Sequence, residues 1–204
     1  LKAAAVLRDI RGVDGEDVGY CNDLSINQML AMHSVIFKPA EKKIWVSTSP
    51  WQFGKFVCFD LDEVFGEGDA SRNSSSEYAQ LTGGSGSARH LGCTLAVDSG
   101  FSDDEMSIPA DKFLETEVFR NVLKFKAMQQ TLVTASKSRR EVPADSLALF
   151  VSWNPSYYGT YVSVASYLES LGKNAEADEY YRRALTCPMK LSERQHLETQ
   201  LRGR

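Results

Sequence analysis

The groups in this chain with chemistry of their own are few: Cys21, Cys58, Cys93 and Cys187, and three histidines, of which His33 is the one inside a strongly patterned segment. A cysteine becomes a nucleophile when a nearby base or cation holds it as thiolate. Cys21 sits in the turn-like Gly19-Tyr20-Cys21-Asn22-Asp23, with His33 twelve residues further on. Cysteine and histidine at such a distance often occur together by chance, so the spacing alone makes no catalytic pair. Cys58, between Val57 and Phe59, reads as a small buried hydrophobe. No two cysteines have the C-x-x-C spacing of a zinc or redox site, and three histidines give little material for a structural metal. No cofactor is expected.

The elements that must position these groups lie between Asn22 and Leu61. Met32–Phe37, Ile44–Thr48 and Phe53–Phe59 are rich in β-branched and aromatic residues, and Lys38-Pro39-Ala40-Glu41-Lys42-Lys43 is a polar turn between the first two. Side chains alternate along a strand, so His33, Val35 and Phe37 share one face and Ser34 and Ile36 the other. The three runs predict an antiparallel meander with one face against a core. Ser49-Pro50-Trp51 forms the second connection.

The order His33-Ser34-Val35-Ile36-Phe37, Pro39, Ile44-Trp45-Val46, Ser49-Pro50-Trp51 and Phe59-Asp60-Leu61 resembles the last sheet segment of the C45 peptidase family. These autoproteolytic N-terminal-nucleophile hydrolases are similar to acyl-CoA:6-aminopenicillanic acid acyltransferase and, more distantly, to acid ceramidase and bile-salt hydrolase. The resemblance takes in Leu7-Arg8-Asp9 and, for relatives with helical tails, much of the region after Ile108. It implies an αββα sandwich and a cysteine nucleophile activated by the α-amine that self-cleavage frees. It places that cysteine, its supporting acidic and basic groups and the oxyanion asparagine N-terminal to the hairpin that begins near His33. None of these positions is matched here, and Leu1 has no nucleophilic atom. No catalytic residue is therefore assigned. The resemblance makes His33 a candidate lining of the acyl or leaving-group pocket, against the plainer role of a sheet histidine bonded to neighbouring backbone. Trp51 is the second pocket candidate, against the alternative of a tryptophan covering a sheet edge.

With 204 residues, 43% of them hydrophobic, and a net charge of −4, the chain can bury a sizeable core and has no basic stripe for nucleic acid. No apolar run approaches the length of a membrane span, and no signal peptide is visible. An opening on Leu rather than Met leads to the expectation that residues upstream are missing, as in a processed subunit or a fragment. The compartment is left open, an extracytoplasmic one included.

The expected organisation is α+β. Residues 1–65 form the sheet segment of the hydrolase domain. Residues 66–107 form a linker or loop rich in Gly and Ser, because Ser71–Ser76 and Gly83–Ser87 offer too little apolar surface to offset ordering entropy. Gly83–Ser87 lacks the lysine of a phosphate loop, and Arg89 and His90 read as solvated. Residues 108–204 are helical. Phe113, Leu114, Val118, Phe119, Val122, Leu123 and Phe125 recur at helical spacing, with Pro109 and Asp111 as start signals and an end near Ala135. A short helix follows at Asp145–Val151, then a turn at Trp153-Asn154-Pro155.

Tyr161, Ala165, Leu168, Gly172, Ala177, Tyr181 and Ala184 fall at the offsets of one tetratricopeptide-like repeat, from Tyr158 to about Pro188. A last helix, Ser192–Leu201, has Ser192 as its expected N-cap. One repeat cannot enclose its own apolar face. It either caps the hydrolase domain or presents a partner-binding surface, with Tyr157, Tyr158, Tyr180 and Tyr181 as aromatic contacts.

Two functions from different classes follow. The first is the C-terminal part of a C45-like amidohydrolase or acyltransferase on a linear amide, partnered by the N-terminal remainder of its precursor and by a small-molecule amide. The second is a non-catalytic tetratricopeptide-like interaction module.

Overall fold

The computed structural model describes residues 2–65 and 102–203. The Gly/Ser-rich stretch, Arg89, His90 and Cys93 lie outside the described residues. The chain is α+β and divides into two compact units, described separately below: a strand-bearing unit with the described residues of 1–4 and 32–111, and a helical unit with 5–31 and 112–203. A short helix, α1 (Lys2–Leu7), opens the chain.

The strand-bearing unit holds β1 (Val35–Lys38), β2 (Lys43–Ser47), β3 (Phe56–Asp60) and β4 (Ser102–Ile108), in the spatial order β1-β2-β3-β4 and antiparallel throughout. A short helix, α2 (Leu61–Phe65), follows β3. Lys42, in the left-handed region at φ 49°, closes the Pro39–Glu41 turn between β1 and β2. The register sets Ile36, Trp45 and Cys58 side by side, and Val35, Val46 and Val57 on the opposite face. The buried side is built from Trp45, Phe56, Cys58 and Ile108; on the other, Val57 is buried but Val35 and Phe37 are exposed.

Residues 102–107, expected in the linker, instead belong to β4 and pair with β3. Acidic Ser-Asp-Asp-Glu reads as solvated, yet an edge strand tolerates charge. Here Lys43 meets Asp103 at 2.9 Å and Lys55 meets Asp104 at 2.5 Å. Between the pairs Phe56/Ile108 and Cys58/Asp103 the register shifts, so β4 bulges away from β3.

The helical unit contains α3 (Glu117–Ser138), α4 (Ala144–Trp153), α5 (Tyr158–Ser170), α6 (Asn174–Ala184) and α7 (Leu191–Arg202). α3 starts after the apolar period does: Lys112–Glu115 is a 3-10 turn, and the Thr116 hydroxyl accepts the Phe119 N–H at 3.1 Å as the true cap. Gly172, at φ 78°, makes the turn between α5 and α6. Tyr161, Ala165, Leu168, Ala177, Tyr181 and Ala184 are all buried in one core with Phe125, Leu132 and Phe150. α7 begins at Leu191, one residue before the expected cap. Ser192 thus lies inside the first turn, and Lys190 at the N-cap makes no side-chain cap bond.

Residues 5–31 were expected with the sheet but belong to the helical unit. They contain no strand. Bonds to residues more than a hundred positions away hold them there, as between Tyr20 and Asn154.

Candidate functional site

The residues that carry chemistry on the sheet are set by its register. Ser34, just ahead of β1, donates its N–H to the Ser47 hydroxyl at 2.6 Å, and its carbonyl accepts the Ser47 N–H at 2.9 Å. Ser47 is buried. His33 therefore stands at the mouth of the β1–β2 hairpin, outside the strand, and its side chain is exposed. Trp51 lies in the β2–β3 connection, half-buried, at φ 49° after a cis Ser49-Pro50 peptide. Gly54 in the same connection is buried, and a Cβ there would come within 2.6 Å of the Ser49 carbonyl oxygen, so only glycine suits this backbone.

On the buried side of the sheet, Lys43 Nζ lies 2.9 Å from Asp103 and 3.7 Å from Asp60. The hydrogen bond from Lys43 holds the Asp103 carboxyl below its usual range, aided by the Met106 N–H, and the same bond raises the Lys43 ammonium. Sequence reading missed this trio. The signal was present, since Lys43 and Asp60 face each other once the β2/β3 register is fixed.

The thiols of the described residues are poor nucleophiles as placed. Burial pushes Cys58 and Cys187 up, and Cys21 as well, although Lys126 beside Cys21 opposes the shift. A thiol raised in this way stays protonated at neutral pH. Cys21 and His33 belong to different units. Cys21, Cys58 and Cys187 are free cysteines. Among the described residues no group of three or more His, Cys, Asp and Glu side chains could hold a metal ion, and no helix is long and apolar enough to cross a membrane.

Two surface depressions of about 410 and 370 Å³ lie on the helical unit, on either side of the Lys173–Glu141 ion pair. Neither is lined by His33 or Trp51. The first is walled mainly by charged residues at the turn between α5 and α6, the second largely by Val142, Pro143, Ala144, Leu147 and Leu168, and neither is lined by a cysteine or histidine.

The helical unit also holds a polar cluster that the sequence did not announce. Asn154, in the turn after α4, is buried and bonds to both backbone groups of Tyr20. Tyr157 and Tyr158 next to it stack edge to face at 5.2 Å, and burial pushes both phenols up, Tyr158 to about 12.

No family model, curated protein or solved structure matches the chain.

Proposed function

We propose that this chain is the C-terminal part of a C45-like cysteine N-terminal-nucleophile enzyme that hydrolyses a linear amide or transfers its acyl group. The supporting observation is the ordered run from His33 to Leu61, which keeps residues that a bare hairpin does not require. Those residues have specific work in the fold. Ser34 is bonded to Ser47 at the hairpin mouth, Trp45 to the Met106 carbonyl, and Pro50 and Trp51 shape the next connection. The sheet would form one layer of an αββα sandwich. Val35 and Phe37, exposed on one face, are suited to a second layer.

In such an enzyme the α-amine of the N-terminal cysteine takes the thiol proton, and sulfur attacks the amide carbonyl. A C–S bond forms; the oxyanion collapses and the C–N bond breaks, with the proton passing to the leaving amine. Water or an acceptor amine then cleaves the thioester. The N-terminal remainder of the precursor supplies the cysteine and the oxyanion donors, which agrees with the raised thiols found here. His33 and Trp51 are the pocket candidates of this chain, both near connections of the sheet.

The test is expression of the whole precursor. Self-cleavage in front of a cysteine is expected, with amidase activity in the two associated chains and none after Cys→Ser at that junction. Amidase activity in the isolated chain would refute the proposal, and so would a precursor that neither cleaves itself nor turns over any amide.

A second function, a tetratricopeptide-like interaction module, is favoured by the close packing of α5 on α6 through Ala165, Ala177 and Ala184. Further repeats of about thirty-four residues in the full protein would support it.

A further inference from the structure

Residues Asp17–Asp23 form a strap of the helical unit without regular helix or strand, held by other segments and by its own bonds from the Gly19 N–H to Asp17 and from Asn22 Nδ2 to the Val18 carbonyl. The Asn154 amide is the centre of the arrangement. Its Nδ2 donates to the Tyr20 carbonyl at 2.9 Å, and its Oδ1 accepts the Tyr20 N–H at 2.9 Å. A carboxamide offers donor and acceptor side by side, so it can read the main chain of one residue whatever that residue's side chain.

The flanking contacts add selectivity. Asp17 accepts from the Ser156 hydroxyl at 3.0 Å. Gly19 is buried at φ 74°, and a Cβ there would stand 2.6 Å from the Tyr157 nitrogen and 2.7 Å from Asn154 Oδ1. The Tyr20 ring lies 6.1 Å from Phe113. Asn22 is fully buried and donates to the Pro188 carbonyl at 3.3 Å, and Asp23 pairs with Lys190 at 2.8 Å. Apart from Phe113, in the 3-10 turn ahead of α3, these partners come from the turn after α4 and from the connection between α6 and α7. Bonds to the Tyr20 main chain supply affinity and a few side-chain demands supply choice, on a segment bent at the left-handed Gly19 and Cys21.

We infer that the surface formed by Asn154, Ser156, Tyr157, Pro188 and Lys190 is a peptide-binding site, with Asp17–Asp23 as its resident ligand. It accepts in trans a peptide of the pattern Asp-x-Gly-Tyr-x-Asn, bent as the strap is at the left-handed Gly19 and Cys21, when the strap is displaced. This does not depend on the amidase proposal. A tethered segment competes at an effective concentration on the order of millimolar, so the wild-type chain is self-occupied.

The experiment uses the whole chain and a fluorescent peptide of residues 15–25 carrying Cys21→Ser. In the chain, Gly19→Ala removes the fit of the strap and leaves the receptor surface intact. The peptide is expected to bind that variant at least tenfold tighter than wild type. Binding is expected to vanish when Asn154→Ala is added, or when the peptide itself carries Gly19→Ala. Equal binding to wild type and variant overturns the inference, as does no binding to a Gly19→Ala chain with normal helical circular dichroism.

If Gly19→Ala unfolds the helices, wild type supplies the answer. Several-millimolar peptide should speed hydrogen exchange of the Tyr20 amide several-fold and leave α5 and α6 unchanged. An unaltered Tyr20 rate overturns the inference.

Discussion

Trp45 on β2 reaches past β3 and donates its indole N–H to the Met106 carbonyl at 2.8 Å. Trp45 is 8% exposed, so the bond is largely shielded from water. It fastens the bulged part of β4 to a strand that β4 does not pair with.

Trp45→Phe should therefore loosen β4 more than β1. The loss of one shielded hydrogen bond is about 1 kcal/mol, roughly a fivefold fall in protection. Amide exchange at Cys58, whose N–H is held by the Ser107 hydroxyl at 3.0 Å, reports on it. An equal change at Cys58 and at the β1–β2 ladder would show that the indole bond has no local role.

Acid stability should depend on Asp103. Its carboxyl is held low in the folded chain by Lys43, so it contributes stability above the unfolded value of about 3.9. That contribution is lost as pH falls through the lower folded value. The Asp103→Asn variant should be less stable at neutral pH and show a flatter decline below about pH 4, followed by denaturant titration at several pH values. Parallel acid limbs in variant and wild type would remove Asp103 from the account.

The sequence showed the strands because Ile44-Trp45-Val46 and Phe56–Phe59 carry propensity and pattern in a few adjacent residues. It showed the α5–α6 pair because Ala165, Ala177 and Ala184 recur at helical spacing. β4 was hidden: Ser102–Glu105 has the composition of a solvated loop, and its pairing depends on Lys43 and Lys55, far away in sequence. The strap was hidden for the same reason. Asn154 in a Trp-Asn-Pro turn looks like ordinary turn chemistry, and only the folded chain brings Tyr20 to it. Of the candidate pocket residues, His33 and Trp51 were legible as residues of a patterned segment, while their surroundings were not.

Alkali should act on the helical unit through Tyr157 and Tyr158. Both phenols are raised above 10 mainly by burial, Tyr158 to about 12. Their contribution is complete below pH 10, the unfolded value, and is lost as pH rises towards the folded values. The ultraviolet titration of Tyr158→Phe should lack a transition near pH 12 that wild type shows. An unchanged titration curve would place the raised phenol elsewhere.

The stability of the helical unit should reside in its ring stack and not in its exposed cation-π contacts. Phe125 and Phe150 are each at most 1% exposed, with centroids 4.6 Å apart and planes within 5°. Truncating such a ring removes its burial and leaves a cavity, so Phe150→Ala should cost about 3–5 kcal/mol. Arg183 lies 4.8 Å from the Tyr161 ring centre and 5.5 Å from that of Tyr180, but it is exposed. Water screens that attraction, so Arg183→Ala should cost about 0.5–1 kcal/mol. Urea unfolding of both variants, followed by far-ultraviolet circular dichroism, measures the order directly. If Arg183→Ala cost as much as Phe150→Ala, the α5–α6 pair would be held from its polar face, and the core centred on Phe125 and Phe150 could not be its main support.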